Sequence, residues 1–93
     1  MDKAEALEVL ANEMARYRRR SHEELAGLIG KVDAYEVKAA SGAAYQIEIQ
    51  VFWDSKKGGD LRVIGGVDDG GWRAFAPLTD DFILTAEGEF IGE

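Results

Sequence analysis

The feature that most constrains this chain is a change of period. Up to about residue 30 its apolar side chains recur every three or four residues. From Lys31 onward they recur every second residue. A period near 3.6 builds one stripe of a helix, and a period of 2 builds one face of a strand. Helices first and strands afterwards is the order of an α+β domain, with helices on one face of an antiparallel sheet.

The helical part divides in two. Asp2, followed three residues on by Glu5, gives an N-cap, and Leu7, Leu10, Met14 and Tyr17 form a stripe. Acids crowd the start of this segment, and Arg16, Arg18, Arg19 and Arg20 crowd its end, which complements the helix dipole. Ser21 and Glu24 have the spacing of a capping box. A first helix is therefore expected over about residues 2–20. A second, over 21–29, buries Leu25, Leu28 and Ile29, with Gly30 as its C′ residue.

The alternating part reads as four strands, over about 32–39, 44–54, 61–68 and 72–78. In the second, Tyr45, Ile47, Ile49, Val51 and Trp53 share one face. Leu61, Val63, Gly65 and Val67 form the inward set of the third, and Trp72, Ala74, Ala76 and Leu78 that of the fourth. A three-residue loop at Ser41-Gly42-Ala43 would set Val37 opposite Ile47, with Gly42 as the left-handed residue. A loop centred on Lys57 sets Val51 opposite Val63 and Ile47 opposite Val67. Asp69-Gly70 is a two-residue hairpin signal that would set Val67 opposite Trp72 and Leu61 opposite Leu78. Pro77 removes a ladder donor and so puts the fourth strand at the sheet edge. Small residues on the inward face, Gly65 with Ala39, Ala74 and Ala76, let a helix approach closely. The tail, 79–93, has two readings. Glu87-Gly88 closes a small hairpin between Phe82-Ile83-Leu84 and Glu89-Phe90-Ile91, or the segment drapes over the sheet.

The expected fold is thus one α+β domain over residues 1–93, with two N-terminal helices packed on one face of a four-stranded antiparallel meander. In its order of elements it resembles the cystatin-like or nuclear-transport-factor-like arrangement of a helix cradled by a meander. That resemblance is topological and transfers no function.

Composition removes several classes of chemistry. The chain has no cysteine, which excludes disulfides, zinc thiolate sites and cysteine nucleophiles, and agrees with a cytoplasmic setting. Its start, Met1-Asp2-Lys3-Ala4-Glu5, is too charged for a signal peptide, and no apolar run reaches membrane-span length. A net charge of −7 argues against nucleic acid as a partner.

No motif assigns a catalytic, cofactor or metal residue. Arg16, Arg19 and Arg20, joined by Arg73, could form an anion patch. Consecutive arginines nevertheless point all round a helix, and a cationic helix terminus explains them. Asp68-Asp69 and Asp80-Asp81 lack the alternate spacing of a calcium loop. His22 lies in a capping box, where its side chain is expected to face solvent. On the outward face of the sheet, Phe52, Ile64 and Phe75 are large apolar residues that need a cover, either the tail or a partner. The functional expectation is a small non-enzymatic protein-binding or regulatory module, homodimeric or bound to a larger partner. The alternative is a small-ligand-binding protein or enzyme with a helix–sheet cavity, in which Arg73 or the Arg16–Arg20 cluster holds an anion.

Overall fold

The computed structural model describes residues 2–69 and 78–92. Its elements are α1 (Lys3–Arg18), α2 (His22–Ala26), β1 (Val32–Lys38), β2 (Ala44–Trp53), β3 (Leu61–Asp68), β4 (Leu78–Leu84) and β5 (Phe90–Ile91). The strands form one antiparallel sheet in the order β1-β2-β3-β4-β5, and both helices pack on one of its faces. The class is the α+β arrangement expected, with five strands instead of four.

Both helix starts are set by the caps seen in the sequence. The Asp2 carboxylate accepts from the Glu5 backbone N–H at 3.0 Å. Ser21 and Glu24 complete a reciprocal capping box. The buried arc of α1 is Ala6, Val9, Leu10, Glu13, Met14 and Tyr17, whereas Leu7 is 46% exposed. This corrects the expected stripe. Each helical residue turns by about 100°, and the buried arc centres between Ala6 and Leu10, which leaves Leu7 roughly 80° off that centre. The second helix also ends earlier than expected, at Ala26, and turns carry the chain to Gly30.

The β1–β2 hairpin closes with Ala39 N–H donating to the Ala43 carbonyl at 2.8 Å and Gly42 N–H donating to the Ala39 carbonyl at 2.9 Å. Gly42 takes φ +92°, the left-handed conformation that this three-residue loop requires. The loop is therefore 40–42, one position earlier than expected. Val37 faces Tyr45, and Tyr35 faces Ile47. A shift of two in register keeps every inward residue inward, which is why the parity survives. The β2–β3 register is as expected, with Val51 opposite Val63 and Ile47 opposite Val67.

The largest correction is the strand after β3. Val67 faces Leu78, and Leu61 faces Leu84, in place of the expected Val67–Trp72 and Leu61–Leu78 pairs. Trp72, Ala74, Ala76 and Pro77 lie outside the described residues. The observed pairing puts Leu78, Phe82 and Leu84 on the helix face, with Asp80 opposite Gly65. β4 is also no simple edge, since β5 pairs with its last residues. The tail takes the hairpin reading. Thr85 N–H donates to the Glu89 carbonyl at 2.7 Å, Gly88 N–H donates to Thr85, and Ile83 faces Ile91.

The core lies between α1 and the sheet. Leu10, Met14, Leu25, Ile47, Ile49, Leu61, Val63 and Val67 are essentially fully buried. α1 rests mainly on β3 and β4. A Cβ built on Gly65 would come within 2.5 Å of Met14 Sδ and 3.1 Å of Leu10 Cδ1, so the absent side chain is what lets the helix sit this low.

Candidate functional site

Two surfaces hold the side chains with chemistry, one on each face of the sheet. On the helix face, α1 runs antiparallel to β1, and a polar layer bridges the two. The Tyr17 hydroxyl donates to Asp33 at 2.7 Å, and the Tyr35 hydroxyl donates to Glu13 at 2.8 Å. The hydroxyls of Tyr45 and Ser41 both donate to Glu5, each at 2.8 Å. Arg16 Nη1 also donates to Glu13, at 3.0 Å. Glu13, 8% exposed, is the one buried charged residue among the described residues, and these two donors are what make that burial tolerable.

The three tyrosines respond to this layer. Burial, reinforced by the hydrogen bond to Glu13, pushes the Tyr35 hydroxyl well above the usual tyrosine range. Burial and then Asp33 push Tyr17 up. Tyr45 is pushed up to about 12, chiefly by its hydrogen bond to Glu5. In each case the neighbouring carboxylate holds the phenolic proton in place.

Because α1 leans towards β3 and β4, a groove of about 480 Å³ stays open between α1 and β1. Its α1 wall is Asp2, Glu5, Glu8, Val9, Asn12 and Glu13. Its β1 side is Val37, Ala39 and Ala40, with Lys38 the one cation of the lining. The volume suits a small ligand or a few side chains. The wall is carboxylate-rich, so it favours positive charge.

The outer face is graded from one end to the other. Strand pairing aligns Phe52, Arg62, Ile83 and Ile91 in one row, and Val32, Gln50, Ile64 and Asp81 in the next. Val32 is 50%, Phe52 44% and Ile91 48% exposed. Further rows turn polar and acidic, through Glu48, Gly66 and Thr79 to Glu36, Gln46 and Asp68. Arg62, within the apolar row, donates to Asp54 at 3.0 Å and to Asp81, so its charge is locally matched.

The residues singled out from sequence sort as follows. Phe52 and Ile64 share the outer face as expected, and Phe75 lies outside the described residues. The tail does not cover this face; as β4 and β5 it lengthens the sheet and adds Ile83 and Ile91 to the apolar area. The arginines diverge. Arg16 turns to Glu13, Arg20 stacks 4.5 Å from the centre of the Tyr17 ring, and Arg18 lies over Phe82 and Phe90. Arg19 is exposed at the C-cap, and Arg73 lies outside the described residues. His22 is not simply solvent-facing, as its position in the capping box implied. Its Nε2 lies 2.7 Å from the Gly59 carbonyl, which makes it the donor, and its ring lies beside Trp53. It pins the 54–60 loop to α2.

Sequence reasoning missed the tyrosine–carboxylate layer. The signal was present: Glu13 falls on the apolar arc, three after Leu10 and four before Tyr17, and Asp33 and Tyr35 have inward parity. Among the described residues no group of three or more acids or histidines is placed to hold a metal, and no helix is long and apolar enough to cross a membrane. No protein-family model, curated protein or solved structure matches the chain.

Proposed function

We propose that this domain is a non-enzymatic protein-binding module that engages its partner through the outer face of the sheet. The observation that carries the reading is the apolar cluster in which Val32, Phe52 and Ile91 are exposed and Ile64 and Ile83 are half-buried beside them on the same face, where no described residue packs over them. Apolar side chains gathered at one end of a sheet face gain free energy when a complementary surface removes them from water. α1 and α2 cover most of the helix face, whereas no described residue packs over the outer face.

Light scattering over a wide concentration range, on the wild type and on Phe52→Asp, tests this. The substitution should leave stability within about 0.5 kcal/mol of wild type, because the side chain is half exposed. If the occupant is a second copy, mass should rise with concentration and Phe52→Asp should abolish the rise. If it is a foreign protein, the wild type stays monomeric and Phe52→Asp removes the complex that the wild type forms. A Phe52→Asp protein that is markedly less stable would overturn the reading, because the chain itself would then be holding Phe52.

A further inference from the structure

The long free edge of the sheet is β1, and it lies beside the acidic groove. Its neighbour on one side is β2, and among the described residues nothing pairs with the other side. In an antiparallel ladder, hydrogen-bonded and non-bonded pairs alternate. The Ala39–Ala43 pair is bonded, so Val37, Tyr35 and Asp33 bond to β2. The outward backbone groups therefore belong to Val32, Ala34, Glu36 and Lys38. Seven residues of unpaired strand form a template for another strand.

A strand added here would send alternate side chains towards the helix face, into the groove. That groove lies beside the C-terminal end of the edge, at Val37 to Ala40. Tyr17 meets Asp33, Glu13 meets Tyr35, and Glu5 meets Ser41, so α1 runs alongside β1 over its whole length. Glu13 is already held by Arg16 and Tyr35, and the rest of the groove's acidic wall is Asp2, Glu5 and Glu8, of which Asp2 and Glu8 are exposed. An incoming strand with lysine or arginine at alternate positions turns those cations towards this wall. A second copy of this chain is a poor occupant, because it would bring another acidic groove against the first.

We propose that β1 is a docking edge for an extended segment of another protein, carrying lysine or arginine at alternate positions. The contact pairs backbone with β1 and places its cations along the α1 wall of the groove. It uses a different surface from the outer face, so either reading can fail while the other stands.

The test uses two labelled peptides as long as β1, each of lysines and threonines with the same three lysines. One has the lysines at alternate positions and the other has them in one consecutive block. Fluorescence anisotropy should show the alternating peptide binding at least about tenfold more tightly. Glu8→Lys should weaken that binding by a similar factor. So should Ala34→Pro, which removes an outward donor without touching the β1–β2 ladder. On saturation, the Ala34 and Glu36 amides of the unmodified protein should gain hydrogen-exchange protection. This last readout needs no variant to fold. Equal affinity for the two peptides, no binding of either, or unchanged exchange at Ala34 and Glu36 would overturn the proposal.

Discussion

The two flanks of α1 meet the same sheet in different ways. On the β3–β4 side, Leu10 and Met14 drop onto Gly65, and the buried Phe82 and Leu84 complete the seal. On the β1 side, contact is made through hydroxyls and carboxylates, and a groove stays open. The apolar flank gains with every buried methylene and tolerates no gap. The polar flank is held by a few directional bonds, which fix distance without filling space. The difference teaches where each job is done. Packing against β3 and β4 anchors the helix, and that anchoring lets the β1 side remain open to solvent and to other molecules.

The comparison predicts an order of effects. Leu10→Ala, on the apolar flank, should cost about 3–4 kcal/mol in urea unfolding, because Leu10 is fully buried and its neighbours cannot close the cavity. If a single polar-flank substitution costs as much, the division between anchor and open side fails. Gly65→Ala should cost about 2 kcal/mol, because the new methyl displaces the Met14 sulfur. The cost should shrink in the Met14→Ala background, where the space already exists. Additive costs would mean that the helix is free to lift, and that its height over β3 is not set by Gly65.

The sequence made the apolar flank far more legible than the polar one. A period of 3.6 followed by a period of 2 reports burial directly, so α1, β2 and β3 and the β2–β3 register follow from side-chain type alone. Cap chemistry is local, and Asp2 and Ser21 marked both helix starts. What failed depended on competition between distant segments. Asp69-Gly70 is a sound hairpin signal, yet β3 pairs with Leu78–Leu84, eight or more residues on, and no local rule weighs the two partners. The polar flank was hidden for another reason. Glu13 reads as a surface acid until Tyr35, 22 positions away, is known to stand over it. The apolar outer face was visible in Phe52 and Ile64, but the contribution of Ile83 and Ile91 required the β4–β5 pairing.

The smallest effects belong to the polar flank and should depend on pH. Tyr35→Phe removes one of the two donors that satisfy the buried Glu13 carboxylate, and should cost about 1–2 kcal/mol. All three tyrosines of the chain sit in this layer, and all have their ionisation pushed upward. A raised pKa in the folded state stabilises the fold as long as the group stays protonated. For Tyr45 that contribution is complete well below about pH 10, where unfolded tyrosine is half ionised, and is lost as the pH climbs towards about 12. The wild type should therefore lose stability in this alkaline window, and Tyr45→Phe should lose less there. Absorbance titration of the native protein at pH 10 should show almost no tyrosinate, whereas the same protein in urea should be about half ionised. A native tyrosine that titrates near 10 would mean that its hydroxyl is not held by its carboxylate. The polar flank would then be no more than two surfaces facing each other across water, and Glu13 would need another reason to be buried.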